Sequence, residues 1–161
     1  LQAMMDANTP GPQHELIARM NGSWRTVMTG VSPDGGEMRT EGTMDTEPLF
    51  DGRFVGQQFS GEFMGMPFEG YGVYGYSTMT GEFQYCWFDS FGTHLYYATG
   101  EASTDGKTLT FHGLEPDPAG GDPVKYRDEI NFASDTHYTM KRFYTPQGGE
   151  FEGFSITFTR E

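Results

Sequence analysis

Polar and apolar residues alternate in short segments along most of the chain. Between residues 82 and 89, every second position is aromatic, at Phe83, Tyr85 and Trp87. The last segment, residues 151–160, alternates in the same way. Because successive side chains of a strand point to opposite faces, a period of two predicts β-strands.

Ten strands of this kind are predicted, joined by short turns. Residues 33–36, 51–52, 105–106 and 148–149 are rich in Gly and Asp, which accept a positive φ. Sequential hairpins without a long crossover favour one closed, antiparallel up-and-down barrel. The longest interruption, residues 116–123, is predicted to be a loop. The predicted strands are residues 23–30, 38–47, 53–63, 69–77, 82–89, 94–102, 107–115, 124–132, 136–144 and 151–160.

The N-terminal part differs from the rest. Residues 1–13 end in helix-breaking Pro and Gly and are predicted to be a mobile leader before a single barrel domain, residues 14–161. Residues 14–20 form the one predicted helix, because Leu16, Ile17 and Met20 give it an apolar face. So short a helix is not stable alone, and we expect it to cover one end of the barrel.

Composition narrows the classes of partner. Aromatic residues make up 16% of the chain and Gly occurs 23 times, which favours aromatic packing and tight turns over helices. A net charge of −13 argues against nucleic-acid binding, and no apolar run is long enough for membrane insertion. Cys86 is the one cysteine, so no internal disulfide is expected. The chain starts at Leu1, and both a cytoplasmic location and export after signal removal stay open.

Several motifs resemble the DUF1579 family, a bacterial domain of unknown function. The resemblance spans about residues 9–160 and is most specific in Gly-Met-Pro-Phe-Glu-Gly at 65–70 and Trp-Phe-Asp-Ser-Phe-Gly-Thr at 87–93. Gly22-Ser23-Trp24 after a short helix is similar to lipocalins and other calycins, which implies that Trp24 closes one end of a ligand-holding barrel. The haem-binding branch of that group needs a histidine in a late strand. Residues 151–160 contain none, so no cofactor is predicted.

The leading hypothesis is a barrel that binds a small apolar or amphipathic molecule. Aromatic residues and adaptable methionines such as Met28 and Met66 would line it, although the same residues could instead fill a solid core. Residues 65–70 are expected to form a turn or rim element near the entrance. Arg127 would need a carboxylate partner if it points inward; alternatively, it forms an outer-surface pair. The predicted ligand-binding residues are Trp24, Met66, Phe68, Tyr74, Tyr85, Trp87, Asp89, Tyr96 and Arg127.

Two other classes of function stay open at this point. One is a structural domain that forms a homo-oligomer through aromatic outer faces. The other is a hydrolase or isomerase that uses Asp89 and His94, with Glu62 or Arg127, although Asp89 and Ser90 also fit a turn cap. No catalytic residue is assigned, and no metal site is predicted because the four histidines lack paired ligand spacing.

Overall fold

A computed structural model describes residues 1–32 and 34–161, and its ten antiparallel strands close into one barrel. Each strand pairs with its neighbours in sequence, and β1 also pairs with β10. Helices α1 (Gln2–Ala7) and α2 (Pro12–Ala18) precede the barrel. The strands are β1 Gly22–Val31, β2 Glu37–Leu49, β3 Phe54–Phe63, β4 Met66–Ser77, β5 Glu82–Asp89, β6 Tyr96–Ala102, β7 Thr108–Glu115, β8 Val124–Ser134, β9 His137–Thr145 and β10 Phe151–Arg160.

The predicted ten-stranded barrel is confirmed, with one correction in its third hairpin. Residues 65–70 were expected to form a turn or rim element, but β4 already begins at Met66. The turn consists of Met64 and Gly65, whose φ values of 51° and 75° give a two-residue hairpin. Pro33, part of the first predicted turn, lies outside the described residues.

Helix α2 covers one end of the barrel, as predicted, but begins two residues earlier than residue 14. Pro12 occupies its first turn, where no backbone N–H is needed. Ile17 and Met20 are fully buried against the barrel. The Trp24 indole donates a hydrogen bond of 2.8 Å to the Met20 carbonyl, and the Arg160 guanidinium lies 4.2 Å from the centre of the Trp24 ring. These contacts form the closed end.

Helix α1 falls within the segment that the sequence predicts to be a mobile leader. It buries no residue of its own, and its last residue, Ala7, accepts a hydrogen bond from the Thr78 hydroxyl. The mobility of residues 1–13 stays a prediction. Within the described residues, no helix combines the length and the apolar character that a membrane crossing requires.

The half of the barrel next to α2 is filled by aromatic side chains. Tyr138 and Phe158 stack with ring centres 4.1 Å apart, and Tyr74 and Tyr85 stack at 4.2 Å. Gln57 donates a hydrogen bond of 3.3 Å to the Tyr138 hydroxyl in this core. Packed interiors of this kind stabilise a barrel without leaving room for a ligand.

Candidate ligand-binding site

The end of the barrel opposite α2 carries a recess. The β1–β2, β3–β4, β5–β6, β7–β8 and β9–β10 connections surround this open end. The recess has a volume of about 520 Å³, within the range of small-molecule pockets. Its lining is chiefly apolar and comes from both ends of the chain: Met28, Val31, Met38, Phe63, Tyr144, Phe151, Glu152, Gly153 and Phe154.

Aromatic side chains cover one side of the mouth. Phe91, from the β5–β6 connection, packs its ring 5.4 Å from Phe63 and 5.1 Å from Phe68, measured between ring centres. Phe59 lies beneath Phe68 at 5.6 Å. Edge-to-face pairs at these distances hold the rings in place and present apolar surface toward the recess.

A buried ion pair lies on the inner wall beside the recess. Arg142 on β9 donates from Nε to Oδ1 of Asp128 at 2.7 Å and from Nη2 to Oδ2 at 2.8 Å. Asp128 is only 2% exposed, and the register places it opposite Arg142 on β8. The guanidinium also stacks 4.0 Å from the Tyr126 ring centre and 5.3 Å from that of Phe154, which lines the recess. A bidentate pair of this geometry holds both side chains in one orientation.

Glu115 extends this network to the rim of the mouth. Its Oε2 accepts a hydrogen bond of 2.9 Å from the Tyr144 hydroxyl and one of 3.4 Å from Nη1 of Arg142. The ring of Tyr144 lines the recess, so this residue connects the apolar recess with the charged cluster. The side chain of Glu115 is 31% exposed.

The electrostatics keep the arginine charged and the tyrosines neutral. Burial alone would lower the pKa of Arg142, but hydrogen bonds and the charge of Asp128 outweigh it and raise the pKa well above its usual value. Burial raises the pKa of Tyr126 to about 12, although the charge of Arg142 opposes the rise. Burial also raises the pKa of Tyr96, and the negative charges of Glu115 and Asp89 add to this effect.

The hydroxyl of Tyr126 is the unusual atom in this cluster. The residue is 2% exposed, and no hydrogen-bond partner for its hydroxyl exists in the described part of the chain. The ring lies against the backbone of β7 at Gly113, where an added Cβ would stand 2.5 Å from the hydroxyl oxygen. Buried polar groups without a partner are uncommon and costly, and they often occur where a structure serves a function.

The predicted site residues divide into two groups. Phe68, Trp87, Asp89 and Tyr96 lie on inner-face positions of the open half, and Met66 lies exposed at its rim. Trp24, Tyr74 and Tyr85 are buried in the filled half. They were predicted to line a cavity, and in the structure they pack in the core. The role of each residue in ligand binding stays a prediction.

Arg127 lies on the outer face of the barrel. It pairs with Glu129 at 2.8 Å and Glu150 at 2.9 Å, and it stacks 4.2 Å from the ring centre of Phe143 on the outer wall. The alternative of an outer-surface ion pair is therefore the observed one. The arginine on the inner face is Arg142, one strand further along.

The proposed Asp89 and His94 pair of a hydrolase is not assembled. Asp89 accepts hydrogen bonds from the Trp87 indole at 2.9 Å and from the Phe91 backbone N–H at 3.0 Å. His94 packs edge-on against the Tyr96 ring, and no hydrogen bond joins it to Asp89 among the described residues. Asp89 thus caps its own turn and orients Trp87, and the arrangement supplies no support for that reaction.

Other parts of the described structure are weaker candidates for a functional site. In residues 1–32 and 34–161, no group of three or more His, Cys, Asp or Glu side chains could hold a metal ion. A recess of about 740 Å³ lies between α2 and the β6–β7 turn at the closed end, and none of the predicted site residues lines it. Phe88 and Tyr97 are exposed on the outer wall, and association through such faces stays a prediction.

The central residues Arg142, Asp128, Glu115, Tyr126 and Tyr144 were absent from the predicted site. One signal for Arg142 was present in the sequence, because it continues the alternation of Tyr138, Met140 and Tyr144 on β9. Asp128 had the same signal, because it continues the alternation of Tyr126, Ile130 and Phe132 on β8. Asp128 and Glu115 lie on other strands, and only pairing across the sheet brings them to Arg142.

Comparisons with known proteins agree with this description. The model of a family described as "Protein of unknown function (DUF1579)" matches residues 9–160. A comparison with curated proteins found no match.

The solved structures that share the fold include the following two. The S-type phycobiliprotein lyase CPES from Guillardia theta is 13% identical with a TM-score of 0.64, over 98% of this chain and 96% of that one. Rv2717c from M. tuberculosis is 11% identical with a TM-score of 0.66, over 95% of this chain and 99% of that one. At such identities the similarity shows the barrel fold alone.

Proposed function

The chain belongs to the DUF1579 family, and since that membership assigns no activity, we propose from the geometry that it binds a small amphipathic molecule at the open mouth of the barrel. The recess of about 520 Å³ beside Arg142 and Tyr144 carries this proposal. Apolar walls beside a few fixed polar groups are the usual composition of a small-molecule site. The barrel fold shared with the phycobiliprotein lyase is compatible with ligand binding.

The ligand would lie in the open half, because the closed half is packed. Met28, Met38 and Phe154 would contact its apolar part, and methionine side chains adapt to irregular shapes. The ion pair of Arg142 and Asp128 would hold the wall of the site rigid, since its hydrogen bonds fix both side chains before a ligand arrives.

The test is titration with the neutral apolar fluorophore N-phenyl-1-naphthylamine. We expect saturable binding with a Kd of order 1 μM, equivalent to about −8 kcal/mol. Met28→Trp fills the recess and should weaken binding about tenfold or more. Met79→Trp is the matched control, because Met79 is exposed in the β4–β5 turn at the closed end. Equal affinities of the two variants would place the fluorophore elsewhere and reject the proposal.

A further inference from the structure

The inner face of the open half has more negative than positive charge. In this half the described inner-face positions hold three carboxylates, Asp89, Glu115 and Asp128, and one cation, Arg142. With a net charge of −13 for the whole chain, the field at the mouth attracts cations and repels anions.

Arg142 is not free to bind an anionic ligand. Two of its nitrogens already hold Asp128 at 2.7 and 2.8 Å, and a third points to Glu115. A ligand carboxylate that displaced Asp128 would leave that buried side chain charged and unpaired, which is strongly unfavourable. The guanidinium therefore belongs to the wall of the site.

Glu115, by contrast, has a free acceptor at the mouth. Its Oε2 is occupied by Tyr144 and Arg142, whereas Oε1 has no hydrogen-bond partner in the part of the chain that the structure describes. Asp89 differs, because both of its oxygens are already bonded. Glu115 is therefore the carboxylate that can receive a donor from a ligand.

A second observation points the same way. The hydroxyl of Tyr126, on a residue only 2% exposed, lacks a partner and lies on the inner wall one strand from Glu115. The aromatic ring of Tyr96 faces the same part of the mouth and experiences the charge of Glu115. A free carboxylate oxygen, a buried hydroxyl that lacks a partner and nearby aromatic faces are groups that a bound ammonium would use.

From these contacts we infer that the ligand is a cationic amphiphile, with an apolar body in the recess and a protonated amine held by Glu115. This inference rests on the proposed function, since it assigns the charge of the molecule that the recess takes. Tyr144 joins the two parts, because its ring lines the recess and its hydroxyl binds Glu115.

The experiment displaces N-phenyl-1-naphthylamine with decylamine, decanol and decanoate, which share one chain length and differ in charge at pH 7. We expect decylamine, protonated at this pH, to bind at least about tenfold more tightly than decanoate. Glu115→Gln should remove most of this preference for decylamine over decanoate. Glu101→Gln is the control, because it removes the same charge from an exposed outer-wall position.

The outcomes separate the two proposals. Decanoate binding as tightly as decylamine, or equal effects of the two Gln variants, would overturn the charge assignment while the recess remains a site. If none of the three compounds displaces the fluorophore, the proposed function itself fails. Should Glu115→Gln not fold, Glu115→Asp keeps the charge on a shorter side chain, and it should retain the preference for decylamine over decanoate; loss of that preference would count against the role of Glu115.

Discussion

Removal of the Tyr126 hydroxyl should stabilise the protein. The hydroxyl is buried without a partner among the described residues, so folding removes its water and supplies nothing in exchange. Burial of a polar group in this way costs about 1–3 kcal/mol. Tyr126→Phe keeps the ring against Gly113 and its contact with the Arg142 guanidinium, and it deletes the one atom that carries this cost.

The expected gain is about 1 kcal/mol in the free energy of unfolding at pH 7, because lost van der Waals contacts of the oxygen offset part of the relief. For a chain of this size, that raises Tm by roughly 2–4 °C. Tyr138→Phe is the matched control. Its hydroxyl accepts a hydrogen bond from Gln57 at 3.3 Å, and its loss leaves a buried donor unpaired, so this variant should lose about 1 kcal/mol.

The difference between wild type and Tyr126→Phe should grow in alkali. Burial raises the pKa of Tyr126 from 10.0 to about 12 in the folded protein. A raised tyrosine pKa stabilises the fold below pH 10, and this contribution is lost as the pH rises from 10 through 12. Phe has no proton to lose, so the advantage of the variant should increase by about 1 kcal/mol between pH 9 and pH 11.

Urea unfolding followed by circular dichroism measures all three proteins at pH 7, 9 and 11. Subtraction of the wild-type free energy removes the titration of the other tyrosines, which the variants share. If Tyr126→Phe proves as unstable as Tyr138→Phe at pH 7, the hydroxyl has a partner in solution, and the reasoning about its cost is refuted. A difference that stays constant from pH 9 to pH 11 would contradict the raised pKa.

Two further substitutions test the walls of the site. Arg142→Met leaves Asp128 buried without a partner and should lower the free energy of unfolding by about 3–5 kcal/mol, measured in urea; adding Asp128→Asn should recover part of the loss. Gly70→Ala places a Cβ 2.1 Å from the Trp87 ring, so the indole must move, at a cost of about 1–3 kcal/mol and with an altered near-UV circular dichroism spectrum. At Gly92, the nearest atom to an added Cβ is 3.9 Å away, and Gly92→Ala should leave that spectrum unchanged.

The strands could be predicted because the sequence pattern that indicates a strand lies within the strand itself. The alternation of Phe83, Tyr85 and Trp87 predicts a strand, and this prediction does not depend on which strand it pairs with. A glycine in a turn likewise indicates a residue with positive φ. The start of β4 at Met66 was missed because the turn consists only of Met64 and Gly65, which is too short to show a run of turn-forming residues. The position of α2 followed from its apolar face, since a short helix must be covered to persist.

A charged residue on the inner face of a strand is easily overlooked. On β8, Asp128 shares its face with Tyr126, Ile130 and Phe132, so the alternation favours its burial, but its partner lies on another strand. The barrel closure places Asp128 inside and Arg127 outside, and Arg142 on β9 is the arginine that pairs with Asp128.

By itself, the sequence determined a single aromatic-rich barrel of ten strands with a helix at one end, because periodicity, turn chemistry and composition act over a few residues at a time. Only the tertiary structure decided that half of the barrel is filled and that the recess lies at the other end. It also decided that Glu115, Asp128 and Arg142 form one cluster. These three residues lie on three adjacent strands, and their meeting depends on the register between strands.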